Sequence, residues 1–326
     1  MNDTPPRFSE PVDPPPAGTP WTVLRLLRWS TQYLEAKEIP GVRIDVEHLL
    51  AHALELRRLD LYLHFDRPLT EGELEVFKPL LLERAERRPL QYILGRAAFR
   101  ELELVVDERV LIPRPETEEL VEAVLSRTRE WGREALEAVD IGTGSGAIAL
   151  SLAQEGPFRR VTATDRSLDA LQVARENAMR HGLEGRVRFL EGDLYEALPP
   201  EERVDVVVSN PPYVSRGEMR GLPPEIRLWE PHLALEAGED GFTVLHRLVD
   251  GASGVLRPGG ILALEIGSGQ AQAIVERIRS REGWEAPVVL RDLSGRDRII
   301  LATRRRVEEA VGGSHGDTSG IERRTD

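Results

Sequence analysis

The chain has 326 residues, no cysteine, seven histidines and a formal net charge of −13. Its length allows two domains, the missing cysteines exclude disulfides and thiolate metal sites, the histidines show no paired-ligand spacing, so no metal is expected, and the acidic balance argues against capture of duplex nucleic acid by the overall field. No apolar run is long enough to span a bilayer, and the amino terminus lacks a basic segment followed by an apolar one, so the expectation is a soluble, cytoplasmic protein with no membrane partner.

Residues 1–19 are expected to form a disordered leader, because they hold six prolines and few large apolar groups. Thr19-Pro20 is expected to cap and open the first helix, in which Val23, Leu26, Leu27, Tyr33 and Leu34 recur near helical spacing until Pro40-Gly41 stops it. A second helix is predicted from about Asp45 through Leu54, with Val46, Leu49, Leu50 and Ala53 inward. Short pieces around Leu59–Leu63 follow, and Thr70-Glu71-Gly72-Glu73 has the form of a capping box ahead of Leu74, Phe77, Leu80 and Leu81. Residues 20–88 therefore read as a small helical domain with apolar stripes and no catalytic constellation. The role left for it is to hold or orient a partner.

Pro89 marks a change of period. Gln91-Tyr92-Ile93-Leu94-Gly95 and the alternation of Leu102, Leu104, Val106, Val110 and Ile112 predict strands over the connecting residues 89–112, with a hairpin turning near Asp107-Glu108. A larger domain spans 113–304. Its Pro113-Arg114-Pro115-Glu116-Thr117-Glu118 stretch precedes a helix with Leu120, Val121, Val124 and Leu125, and acidic residues in that first turn complement the helix amino terminus. Strands are predicted at 161–165, 187–190, 204–208, 261–266, 288–290 and 299–302, with helices at 168–179, from Val244 and at 271–278. A turn is expected at Pro258-Gly259-Gly260. Strands bounded by helices imply an α/β fold with a mostly parallel sheet covered on both faces, whose ligands bind beyond the carboxyl ends of the strands. The charged tail, 305–326, carries no apolar stripe that demands folding.

The central stretch is EAVDIGTGSGAIA at 137–149. Ala138 and Val139 can finish a buried strand, and Gly142, Thr143, Gly144, Ser145 and Gly146 make the turn into a helix opening near Ala147. Glycines let backbone pass close to a ligand, but dinucleotide, nucleotide and S-adenosylmethionine sites all use such a turn. The phosphate-loop reading fails because no Lys-Ser/Thr pair follows at the required spacing. Asp140, ahead of the glycines, suits the amino group of a methionine-bearing ligand better than a pyrophosphate. At the ends of later strands, Asp165 is placed to accept both hydroxyls of a ribose, and Asp193-Leu194 to meet an adenine ring. Either aspartate also suits a helix or turn cap.

Asn210-Pro211-Pro212-Tyr213 follows a nearly continuous apolar strand, and its two prolines fix the backbone there. The Asn210 side-chain oxygen and the Pro211 carbonyl can accept the two hydrogens of a planar NH2, with Tyr213 as a packing wall. The acceptor nitrogen is thereby aimed at a donor held by the glycine loop.

Seven stretches together carry a resemblance: QYILG at 91–95, LIPRPETEELVE at 111–122, DIGTGSGAIAL at 140–150, NPPY at 210–213, EPHLALEAGEDG at 230–241, LRPGG at 256–260 and DLSGRDRIILA at 292–302. Over about residues 20–304 the chain is similar to the bacterial HemK-type protein-(glutamine-N5) methyltransferases that modify peptide-chain release factors. NPPY occurs also in adenine and guanine amino methyltransferases; the RPETE stretch and the helical N-terminal domain make the match narrower. The resemblance implies a Rossmann-like class I methyltransferase domain preceded by a small helical domain, and methyl transfer from S-adenosyl-L-methionine to the glutamine amide of a Gly-Gly-Gln loop. It implies class 1 release factors as partners and no direct nucleic-acid substrate. Carried onto this sequence, Gly142, Thr143, Gly144, Ser145, Gly146, Asp165, Asp193, Leu194 and Asn210 hold the cofactor. Asn210 and Pro211 are catalytic and, with Pro212 and Tyr213, bind substrate. Leu194 departs from relatives that carry an aromatic residue there. Two other classes stand beside this one: a nucleic-acid amino methyltransferase, favoured by NPPY but not by charge, and a non-catalytic S-adenosylmethionine-binding module, disfavoured by the intact NPPY.

Overall fold

A computed structural model describes residues 20–306. The expected leader, 1–19, and residues 307–326 of the expected tail lie outside the described residues.

Five helices form the first unit: α1 (Val23–Glu35), α2 (Val42–Ala53), α3 (Arg58–Leu63), α4 (Glu71–Ala85) and α5 (Leu90–Leu94). Val23, Leu34, Val46, Leu49, Leu50, Phe77 and Leu81 meet in its core. α1 opens later than Thr19-Pro20: Thr22 is its cap and accepts the Arg25 N–H at 3.4 Å. The residues ahead of it are used differently, since Trp21 and Val23 pair with Leu69 and Arg67 through backbone hydrogen bonds of 2.8 and 3.1 Å. The Thr70–Glu73 capping box forms as read, with Thr70 N–H donating to Glu73 Oε2 at 2.8 Å and Glu73 N–H to Thr70 Oγ1 at 3.3 Å.

The 91–95 stretch is not a strand. It is the single helical turn α5, whose Leu90, Ile93 and Leu94 sit at helical spacing and pack on the helical core, while Tyr92 points the other way and donates its hydroxyl to the Val110 carbonyl at 2.6 Å. The hairpin also differs: β1 (Arg96–Phe99) pairs antiparallel with β2 (Leu102–Val105), so the turn is at Arg100-Glu101 rather than Asp107-Glu108. Val110 and Ile112 are buried without strand pairing, because the Asp107 side chain and carbonyl hold the following residues in a turn.

The larger unit runs α6 (Pro115–Glu130), β3 (Leu136–Ile141), α7 (Ala147–Glu155), β4 (Phe158–Asp165), α8 (Leu168–Arg180), β5 (Val187–Glu191), β6 (Val204–Ser209), α9 (Pro224–Trp229), α10 (Thr243–Val255), β7 (Leu256–Glu265), α11 (Ala271–Arg279), β8 (Val288–Arg291) and β9 (Asp297–Thr303). Pro258–Gly260, expected as a turn, lies within β7. There the register jumps from Leu256 opposite Val204 to Ile261 opposite Val206. The strands form one sheet in the order β5-β4-β3-β6-β7-β9-β8, parallel from β5 to β7, with β9 antiparallel to both neighbours. Residues of α6, α7 and α8 join the core on one face, and those of α10 and α11 on the other.

This order decides where the site lies. The chain winds outward from β3 through β4 to β5, then returns to place β6 on the other side of β3, with Asp140 opposite Val208. That reversal opens a crevice at the carboxyl ends of β3 and β6. The glycine loop and Asn210, distant in sequence, leave the sheet side by side. Among the described residues, no helix is long and apolar enough to cross a membrane and no group of His, Cys, Asp and Glu could hold a metal ion.

Candidate active site

Gly142, Gly144, Asp165, Asp193, Leu194, Asn210 and Pro212 line one cleft at this switch point. Gly142 and Gly144 adopt φ of 76° and 55°, and a Cβ built on either would meet no protein atom within 4 Å. The added atom would stand in the cleft or strain the turn, so the cradle fits a ligand pressed against backbone.

Asp165 ends β4 and steadies that cradle. Its Oδ2 accepts the Gly144 N–H and its Oδ1 the Ser167 N–H, each at 2.9 Å. Burial pushes its carboxyl above the ordinary range, and the two amides work against that. Each oxygen keeps a lone pair for a further donor. Asp193 is ion-paired with Arg247 at 2.9 Å, and both line the cleft. Leu194 takes φ of 53°, a left-handed conformation that costs a non-glycine residue roughly 1–2 kcal/mol. The next residue anchors the turn, its Tyr195 hydroxyl donating to the Leu248 carbonyl at 2.7 Å.

Thr143, Ser145, Gly146, Pro211 and Tyr213 do not line the cleft. Thr143 donates its hydroxyl to Asp140 at 2.6 Å, Ser145 gives its carbonyl to Asn177, Gly146 lies against Leu150 and Ala174, Pro211 is buried, and Tyr213 turns toward Glu265. Asp140 corrects the reading that set it against a ligand amino group: it is wholly buried and absent from the cleft wall. Its Oδ2 accepts from Thr143 and from the Ala149 N–H at 3.1 Å, which ties β3 to the start of α7. Burial pushes its carboxyl up to about 7, and these two bonds oppose the shift.

Several positioning residues went unassigned in the sequence. Asn210 donates Nδ2–H to Thr117 Oγ1 at 2.9 Å, and Thr117 donates its hydroxyl to Glu265 Oε2 at 2.7 Å. The Tyr213 hydroxyl meets the other oxygen of Glu265 at 3.4 Å. Asn210 Oδ1 has no hydrogen-bond partner among the described residues. Asn177, fully buried on α8, takes the Val105 N–H at 2.7 Å and donates to the carbonyls of Val105 and Ser145 at 3.0 and 2.9 Å, joining hairpin to glycine loop. Arg114 pairs with buried Glu230 at 2.5 Å, fastening the RPETE stretch to EPHLALEAGEDG. A signal existed for one of them: Glu265 is a carboxylate inside the apolar run Ile261–Ile266.

The sheet order, the glycine cradle, an acid ending the next strand and an asparagine-proline turn at the switch point define a Rossmann-like, S-adenosylmethionine-dependent methyltransferase. Models of two domain families match: the PrmC N-terminal domain over residues 25–95 and the methyltransferase small domain over 117–221. A release factor glutamine methyltransferase of Geobacter sulfurreducens is 41% identical over 280 residues, covering 86% of this chain and 96% of its own. That of Moorella thermoacetica is 43% identical, covering 87% and 99%. The hMettl16 catalytic domain, solved with an MAT2A 3'UTR hairpin, shares the fold at 18% identity with a TM-score of 0.52, covering 71% of this chain and 83% of that one. The chain belongs to the release factor glutamine methyltransferase family.

Proposed function

We propose that this chain methylates the side-chain amide nitrogen of the glutamine in the Gly-Gly-Gln loop of class 1 release factors, with Asn210 and Pro211 holding the reacting NH2. Family membership supplies the reaction, methyl transfer from S-adenosylmethionine to glutamine N5. The observation that carries the residue assignment is the free Oδ1 of Asn210, at the end of β6 and beside the glycine cradle, with Nδ2 engaged elsewhere. Pro211 itself lies behind the cleft wall; its carbonyl, which accepts no hydrogen bond among the described residues, is assigned to the second amide hydrogen. Two acceptors on one rigid turn match the two hydrogens of a primary amide.

Gly142, Gly144, Asp165, Asp193 and Leu194 would hold the cofactor, which supplies an electrophilic methyl on sulfonium. An amide nitrogen is a weak nucleophile because its lone pair is delocalised, so placement is the first task of the site. As the N–C bond forms and the C–S bond breaks, positive charge grows on nitrogen. Acceptance by Asn210 and Pro211 then strengthens, which favours the transition state over the bound amide. One N–H proton leaves to solvent afterwards, and no strong base is required.

The helical unit is assigned to the body of the release factor. What supports this is its link to the catalytic loop: Glu225 of α9 takes Arg84 and Arg87 at 3.3 Å each, and Arg88 lies over the Trp229 ring at 5.5 Å. The test separates capture from chemistry. Asn210→Ala is expected to slow single-turnover transfer about 100-fold, while release-factor affinity on the same preparation stays near wild type. An unchanged rate would remove Asn210 from this role.

A further inference from the structure

An asparagine amide is nearly symmetrical in shape, so the protein must decide which of its ends faces the cleft. Rotation by half a turn exchanges Oδ1 and Nδ2 with little steric cost, and the two ends are chemical opposites. Turned the wrong way, Asn210 would present NH2 to the NH2 of its substrate, donor against donor.

Thr117 sits in the first turn of α6 and touches both neighbours that matter, with Oγ1 2.7 Å from Glu265 Oε2 and 2.9 Å from Asn210 Nδ2. Its hydroxyl has one proton. An ionised carboxylate only accepts, so that proton points at Glu265, and Oγ1 can then only accept from its other side. Nδ2 is the end of Asn210 able to donate. The remaining end, Oδ1, is left for the cleft. Burial pushes the Tyr213 phenol up to about 12, so its hydroxyl stays protonated and is a donor toward the other oxygen of Glu265.

We infer that Thr117 and Glu265 are positioning residues that set the polarity of the Asn210 amide and so select a hydrogen-donating primary amide over a carboxylate. The inference rests on the reading of Asn210 as acceptor and adds the device that orients it. Its polarity is reversible. Burial pushes the Glu265 carboxyl up to about 7; the Thr117 bond, Arg298 of β9 and Tyr213 oppose that shift, and Glu116 of α6 adds to it. A protonated Glu265 donates to Thr117, which frees the Thr117 proton to turn to Asn210 and favour the wrong end.

The test compares wild type with Thr117→Val, Thr117→Ser, Glu265→Gln and Asn210→Ala in single-turnover methylation of a purified release factor. Cofactor affinity and the thermal transition are taken for each. Thr117→Val keeps the shape and removes the acceptor, so transfer is expected to slow about 100-fold, with release-factor KM and cofactor affinity within about twofold. Thr117→Ser restores most of the loss. Wild-type turnover falls as pH drops through about 7, and Glu265→Gln, which cannot ionise, lacks that limb. A readout independent of turnover is the pair of Asn210 side-chain NH2 resonances in ligand-free protein, identified by their disappearance in Asn210→Ala and expected to exchange faster with solvent in Thr117→Val. A Thr117→Val rate near wild type, with Asn210→Ala still slow, overturns the inference and leaves the reading beneath it standing. An acidic limb that persists in Glu265→Gln overturns it even if Thr117→Val does not fold, and a wild-type rate in Asn210→Ala overturns both.

Discussion

Asp140 is a carboxylate with two hydrogen bonds on one oxygen and none on the other, held wholly out of water. Its carboxyl is raised from 3.8 to about 7 in the fold. The sign follows from linkage: the folded chain holds the proton more tightly than the unfolded one, so this contribution to stability is full below the ordinary value and is lost as pH rises through about 7. Between pH 4 and pH 8 the loss amounts to about 4 kcal/mol. Asp140→Asn can keep both bonds through its amide oxygen and cannot ionise, so its stability is expected to fall less than wild type over that range. Urea titrations of ligand-free protein at several pH values check this, and parallel curves would contradict it. Gly144 yields a second expectation at the same scale. A β-branched side chain at φ of 55° is strained, and its Cβ would project into open cleft. Gly144→Val is expected to weaken S-adenosylmethionine binding by about tenfold or more, measured by calorimetry on a folded variant; wild-type affinity would take this loop out of the cofactor site.

Where a strand runs into a polar residue, its place in the fold could be read from sequence. Asp165 ends β4 and Asn210 directly follows β6, and the parallel order of β4, β3 and β6 brings both to one crevice. A single turn such as α5 is harder, because five residues fit either period until it is known that Leu90, Ile93 and Leu94 share one partner. Contacts between distant elements left no local pattern at all: Thr117 and Glu265 are 148 residues apart, and Asn177 reaches Val105 across 72. Asn177 shows what such a contact does. Removing it leaves the half-buried N–H and carbonyl of Val105 and the buried carbonyl of Ser145 unpaired. Asn177→Ala is expected to cost about 3 kcal/mol, seen in chemical denaturation. A loss within experimental error of zero would show that hairpin and glycine loop do not depend on this side chain.

At the scale of the whole molecule, α9, which follows the 210–213 turn in the chain, is tied to the helical unit by the Arg84 and Arg87 pairs with Glu225 and by Arg88 over Trp229, so under the proposed function capture of a folded partner and placement of its loop would share one structure. A short Gly-Gly-Gln peptide lacks the body that the helical unit is assigned to hold, and a folded release factor is therefore the substrate to use. The proposed function requires the cleft to accept a glutamine NH2 from that partner. The most direct measurement is mass-spectrometric mapping of the methyl group after incubating full-length enzyme, S-adenosylmethionine and either a release factor or its Gln→Glu variant, with matched DNA and RNA alongside. The variant removes the NH2 and sets a carboxylate against two acceptor oxygens, which repel it. The expected result is one methyl on the Gly-Gly-Gln glutamine, none on the Glu variant and little on either nucleic acid. A methyl mapped to another residue on the Glu variant, or efficient sequence-dependent methylation of a base amino group, would contradict the account.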